Sequence, residues 1–292
     1  MILTRARATA LIGAGLLLPH CTSKPRGIAI GSKNFTEEFV IAEIYAQALE
    51  RAGYSVDRKF NLGSTQIAMG ALRRGDIDLY PEYTGTALID VLHLPPMHDD
   101  RALFARVSAE FAKEHLTWLD PSPMNDSQGL ATTAQIAGKY HVHTLSELSV
   151  VAPQLRLGAI PEFLSRADAL PGLQKFYGGF RFKEAKTFDI GLKYKALENN
   201  EADVVTAFTT DGLIGAENLV VLKDDKHFWP PYHIAPVVRD DGLERFPKLA
   251  RTLNAIAPLI TDERARAMNY AVDGLKQEPS TVAAAFLKGD AR

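Results

Sequence analysis

The sequence predicts an α/β protein built as two Rossmann-like domains joined by two hinge crossings. Three observations carry this expectation. From residue 26 onward, short apolar strands alternate with amphipathic helices, the pattern of strand–helix–strand units. The series βαβαβ occurs before residue 120 and again after residue 144. The two series also share a strand and turn. "GDIDLYPEYTGTALI" at 75–89 and "NEADVVTAFTTDGLI" at 200–214 align Asp78 with Asp203, Tyr83 with Phe208 and Thr84 with Thr209, 125 positions apart.

The elements follow in order. "GIAIGS" reads as a buried strand, and "NFTEEFVIAEIYAQALERAG" as a helix that Asn34 or Thr36 can cap and Gly53 can close. "YSVDRKF" is the next strand, and "STQIAMGALRRG" a helix capped by Ser64 or Thr65 and stopped at Gly75. "DIDLYPEYTGT" completes the first series. The second begins with a capping box, Thr144 to Glu147. "LRLGAIPEFLSRA" repeats the strand–turn–helix order of "IAIGSKNFTEEF", and then come a strand at "RFKEAKTF", a helix through "IGLKYKALENN" and the strand "ADVVTAF". Pro- and Asp-rich segments near 117–126 and 223–240 mark the crossings. The expected division is 26–120 plus 230–292 for domain 1 and 121–229 for domain 2, with the helices of 245–288 returning to domain 1. In open α/β sheets ligands sit beyond the carboxyl ends of the strands. Two such sheets facing one space predict a shared cleft.

Composition sets the class. The 292 residues are 46% hydrophobic and 23% charged, as in a globular protein with a full core. Thirty-three Lys and Arg are scattered among 35 Asp and Glu, for a net charge of −2, so no basic groove for nucleic acid is expected. Residues 1–21 read as an export signal: Arg5 and Arg7, then an uncharged, largely apolar run from Ala8 to Leu18, too short to span a bilayer. Cys21 is the only cysteine, so no intrachain disulfide forms. Directly after the apolar run, it is either the acylated residue of a lipoprotein or a bystander to an ordinary cleavage, since His20 is larger than the residue such a site usually carries.

Enzyme signatures are missing: no G-x-G-x-x-G after a strand, no phosphate loop, no G-x-S-x-G elbow and no H-E-x-x-H. His141 and His143 alternate on an extended segment without an acid or third histidine near in sequence, so neither metal nor cofactor is expected. The informative residues are aromatic. Tyr83 and Phe208 end equivalent strands, and Tyr232 lies in "WPPYHIAP", where two prolines stiffen the chain. Rings from both domains can enclose a quaternary ammonium by cation–π attraction, or simply cap the core ends. Lys33 and Arg166 follow equivalent first strands, and Arg166 can grip a carboxylate with two parallel N–H bonds. Thr86 can donate from the "TGT" turn.

The segments "IGSKNFTEEFVIAEIYAQALE", "GDIDLYPEYTGT", "LPGLQKFYG" and "LKDDKHFWPPYHIAPVVR" resemble the substrate-binding protein of osmoprotectant ABC importers, the glycine betaine/carnitine/choline class. The resemblance runs from about residue 26 to the end. It implies a type II periplasmic-binding-protein fold, a solute receptor rather than an enzyme, and work outside the inner membrane as a monomer beside permease subunits. It also implies an ammonium cage of Tyr83, Phe208 and Tyr232, with Lys33, Thr86 and Arg166 on the carboxylate. Two positions depart from the family pattern: Phe208 stands where tyrosine is frequent, and Gln128 in "NDSQGL" replaces a ring. Gln128 offers hydrogen bonds instead, which points to a more polar amine or amino-acid derivative as the alternative ligand. Asp126 either pairs with a cation or caps the crossing turn.

Overall fold

The computed structural model describes residues 27–289. The export signal and Cys21 lie outside them. Two five-stranded sheets form the frame. Strands β1 (Ile28–Gly31), β2 (Val56–Lys59), β3 (Leu79–Tyr83) and β4 (Leu116–Trp118) belong to the first sheet. Strands β5 (Gln128–Thr133), β6 (Arg156–Ala159), β7 (Glu184–Thr187), β8 (Val204–Phe208) and β9 (Leu219–Val221) make the second, before the chain returns to the first through β10 (Ile234–Arg239). The orders are β2-β1-β3-β10-β4 and β7-β6-β8-β5-β9. Position by position, the second sheet repeats the first.

The repeat is held by the same contact in each half. Asp78 Oδ2 accepts the Ala29 N–H at 2.8 Å, tying β3 to β1. Asp203 Oδ2 accepts the Arg156 N–H at 2.8 Å, tying β8 to β6. β1–β3 and β6–β8 both pair parallel, as expected. Outside these strand–helix–strand units the direction changes at the fourth strand: β10 runs antiparallel to β3 and β4, and β5 antiparallel to β8 and β9. Each of these strands is the one the chain enters on crossing from the other sheet. It arrives beyond the carboxyl ends of the parallel strands and must run back along them.

Local expectations fare unevenly. Helix α1 (Thr36–Arg51) has Phe35 at its cap position and no side-chain cap bond; the Thr36 hydroxyl instead donates to Asp273 Oδ1 at 2.6 Å. Helix α2 (Thr65–Arg74) follows Ser64, which makes no cap bond, and ends as expected at Gly75 in the left-handed conformation. The Thr144–Glu147 capping box forms in full. The helix expected through 190–200 shrinks to Lys195–Glu198, because Lys193 is drawn inward to Asp211 Oδ2 at 2.7 Å. The final helices, Asp262–Asp273 and Pro279–Lys288, cover α1, with Gln47 Nε2 donating to the Ser280 carbonyl and Arg51 to the Leu287 carbonyl. That cover explains why α1 buries Val40, Ile41, Ile44, Tyr45 and Leu49 together, each contributing roughly 1.5–3 kcal/mol.

Candidate functional site

A cavity of about 160 Å³ lies where the strand ends of the two sheets meet, and all eight residues selected from sequence line it: Lys33, Tyr83, Thr86, Asp126, Gln128, Arg166, Phe208 and Tyr232. β3 supplies Tyr83 and β8 supplies Phe208, each as the last residue of its strand. Gln128 opens β5 directly opposite Phe208, and Tyr83 pairs with Ile234, so both crossings feed the site.

The rings are fixed differently. The Tyr83 hydroxyl donates to Glu37 Oε1 at 2.7 Å, and Phe35 stacks near-parallel to its ring at a centroid distance of 6.2 Å. The Tyr232 hydroxyl donates to Asp168 Oδ2 at 2.6 Å. Its ring lies so close to the Thr84–Thr86 turn that a Cβ on Gly85 would come within 2.7 Å of it; only glycine fits there. Both hydroxyls stay protonated well above the usual tyrosine range, first through burial and then through the facing carboxylates.

Neither cation stands free. Lys33 Nζ is 2.7 Å from Glu82 Oε1 and 3.5 Å from Glu38 Oε1, and lies 4.5 Å from the Tyr83 ring centroid. Burial pushes the Glu38 carboxyl up to about 8, with Lys33 pulling the other way and Glu82 adding to the rise. Arg166 donates to both oxygens of Asp168, Nε to Oδ1 at 2.8 Å and Nη2 to Oδ2 at 2.6 Å. Burial opposes its charge, but the Asp168 bonds outweigh it and hold the guanidinium above its ordinary range. Its remaining N–H groups face Thr86 Oγ1 at 3.4 Å and Asp90 Oδ2 at 3.7 Å.

Gln128 is tied into the same network. Nε2 donates to Asp168 Oδ2 at 2.8 Å and to Tyr232 Oη at 3.1 Å, leaving Oε1 without a hydrogen-bond partner among the described residues. Asp126 Oδ1 accepts from the Thr210 hydroxyl at 2.6 Å and its N–H at 3.3 Å. Burial, then the charges of Glu37 and Asp211, hold the Asp126 carboxyl well above the usual carboxylate range.

Sequence reasoning missed Phe35, Glu82 and Asp168. Phe35 sits two residues past Lys33 at the mouth of α1, a position where a ring can reach the cleft. Asp168 receives Arg166, Gln128 and Tyr232, and its carbonyl accepts Trp229 Nε1 at 2.8 Å. The only local trace of this hub is the Arg-x-Asp spacing.

Comparison with known proteins identifies the family and agrees with the fold. The family model described as the substrate binding domain of the ABC-type glycine betaine transport system matches residues 26–289. A glycine-betaine-binding protein of Pseudomonas aeruginosa is 35% identical over 97% of this chain and 93% of its own length. An ergothioneine transport permease/ergothioneine binding protein of Helicobacter pylori is 34% identical over 95% of this chain, which spans 50% of that relative. A crystal structure of a glycine betaine/carnitine/choline ABC transporter superposes with a TM-score of 0.74 at 32% identity, covering 90% of this chain and 98% of the other. The chain belongs to the family of substrate-binding domains of ABC-type glycine betaine transport systems, a family of transport receptors rather than enzymes.

Proposed function

We propose that this family member captures a small quaternary-ammonium or zwitterionic solute of the glycine betaine type between its two sheets and delivers it to the permease subunits of an ABC importer. The observation that carries the reading is the convergence of Tyr83, Phe208 and Tyr232, from three separated segments, on one cavity that also holds Arg166 and Thr86. The ammonium lies against the rings, where cation–π attraction at a dry site is worth about 2 kcal/mol. The carboxylate meets the Arg166 N–H groups not spent on Asp168, together with Thr86. The bodies 26–120 plus 230–292 and 121–229 close over it by a hinge at the crossings.

A second reading, a more polar amine or amino-acid derivative, is favoured by Gln128 Oε1, which adds an acceptor to the lining. The ergothioneine named for the Helicobacter pylori relative is a ligand of that kind. The receptor works as a monomer outside the inner membrane, tethered through an acylated Cys21. Among the described residues no helix is long and apolar enough to cross a membrane. A thermal-shift panel of glycine betaine, choline, carnitine, proline and amino-acid derivatives tests the function. A ligand at about 100 times its Kd should stabilise the protein by about 2.7 kcal/mol. Shifts confined to proline or ordinary amino acids would reject the quaternary-ammonium reading. Cys21→Ser should move the protein from the membrane fraction to the soluble one; retention at the membrane would remove the anchor.

A further inference from the structure

The two walls of the site are also joined beside it. The helix Asp262–Asp273, which covers α1 on the first sheet, meets the loop 209–212 that leaves β8 of the second. Asn269 Nδ2 donates to the Thr210 carbonyl at 3.0 Å, and an Arg266 guanidinium nitrogen to the Thr209 carbonyl at 3.2 Å. Gly212 packs on the Tyr270 backbone. A Cβ there would collide with the Tyr270 nitrogen and stand 2.5 Å from its Cα. The φ of Gly212 is −66°, open to any residue. Glycine is therefore called for by the closeness of the helix, not by the turn.

Each side of this join leads to one ring of the site. Asn269 Nδ2 also donates to Glu37 Oε2 at 2.8 Å, and Glu37 Oε1 takes the Tyr83 hydroxyl at 2.7 Å. On the other side Thr209 follows Phe208 directly, and the Thr210 hydroxyl donates to Asp126 Oδ1 at 2.6 Å. A run of hydrogen bonds from Tyr83 through Glu37 and Asn269 thus ends on the chain that carries Phe208. The amide itself is informative. Asn269 is 4% exposed, and its nitrogen serves two acceptors while Oδ1 stays buried without a hydrogen-bond partner among the described residues. An apolar side chain would fill the place without an orphaned acceptor. The amide is explained by what its nitrogen ties together.

We propose that this clasp sets the separation of Tyr83 and Phe208, making Asn269 and Gly212 positioning residues that fix the size of the ammonium head the site accepts. The inference rests on reading Tyr83 and Phe208 as walls of the quaternary-ammonium site. Cation–π attraction needs the charge within about 6 Å of a ring centroid, so two rings at a fixed spacing favour the head that touches both. A bulkier head must force them apart. Gly212 and Arg266 line neither the cavity nor the space of about 200 Å³ beside it, so a change at either reaches the solute only through the clasp.

Titration calorimetry with glycine betaine and its triethylammonium analogue tests it, since the two differ only in the size of the head. The wild type should prefer glycine betaine by about tenfold or more. Gly212→Ala and Asn269→Ala should each weaken glycine betaine binding and narrow that preference to within about threefold. Arg266→Ala, at the surface, should narrow it in the same direction and stands in if the other two do not fold. A merely structural role would lower both affinities by one factor and keep their ratio. That result, or variants with wild-type affinities, overturns the clasp while leaving the receptor reading intact. Equal binding of the two compounds by the wild type also overturns it. Wild-type binding of neither compound overturns both readings.

Discussion

Tyr83 and Phe208 end the third strand of their respective sheets, and each carries a lysine ammonium against its ring, Lys33 at 4.5 Å and Lys193 at 4.3 Å from the centroids. The resemblance stops at how each is anchored. Lys33 faces two acids, Glu82 and Glu38, whose side chains are fully buried, whereas Lys193 faces Asp211, whose side chain is 22% exposed. The Tyr83 ring is pinned at its hydroxyl by Glu37. Phe208 has no hydroxyl, and its bond to Asp211 Oδ2 is through the backbone N–H at 2.9 Å. One wall of the site is therefore locked by a dry network, and the other by packing and a wetter ion pair. The repeated strand end supplies a ring from each side, and the differing anchors make the Tyr83 side the fixed reference against which the Phe208 side can adjust.

The largest expected effect sharpens that contrast. Glu82→Ala strips the main partner from buried Lys33 and leaves the Tyr80 hydroxyl and the Tyr83 N–H without their acceptor. It should cost about 3–5 kcal/mol in stability by chemical denaturation. Asp211→Ala likewise strips buried Lys193, the Tyr194 hydroxyl and the Phe208 N–H of their acceptor, but Asp211 itself is partly exposed, so water can enter the vacated position and the loss should be smaller. The reverse order would break the comparison.

Binding comes next. Arg166→Ala leaves Asp168, itself 2% exposed, without its charge partner as well as removing the carboxylate anchor, and should weaken betaine binding by about 2–5 kcal/mol in calorimetry. Phe208→Ala, which removes one ring face, should cost about 1–2 kcal/mol. Equal losses would mean that the solute carboxylate does not use Arg166.

A smaller effect separates the two rings directly. Tyr83→Phe orphans Glu37 Oε1 and should destabilise the fold by about 1–3 kcal/mol. Phe208→Tyr loses no existing bond and should stay within about 1 kcal/mol of the wild type by thermal denaturation. Comparable losses would show that the hydroxyl anchor is not what distinguishes the walls.

The last test is a pH dependence. Burial raises the Glu38 carboxyl from 4.5 to about 8, so the folded state keeps a proton that the unfolded chain gives up. The associated stability is fully present below about 4.5 and is lost as pH rises toward about 8. Denaturation curves across that window should slope downward in the wild type and flatten in Glu38→Gln. An unchanged slope would assign the dependence elsewhere.

Much of this was legible because it is encoded within single repeat units. Asp78 and Asp203 align in sequence and tie equivalent strands in the structure. Tyr83 and Phe208 were found by the same alignment, and Tyr232 by the prolines beside it. The antiparallel fourth strands were not legible, since their direction follows from which side the chain enters after crossing. Asp168 was missed because its importance comes from Gln128, 40 positions away, and Tyr232, 64 positions away. The hydrogen bonds that the sequence lets Gln128 offer a ligand are in part already made, since its amide nitrogen is committed to Asp168 and Tyr232. A Gln128→Tyr replacement therefore removes a donor from Asp168 as well as adding a ring.

The central claim is that one solute ammonium is shared by rings from both sheets, and a titration with glycine betaine on the wild type, Tyr83→Ala, Phe208→Ala and the double variant tests it most directly. Each single loss should weaken binding roughly tenfold, and the double loss should differ from the sum of the two, because both rings enclose the same group. Wild-type binding that both single variants retain in full would contradict the shared cage and place the solute elsewhere.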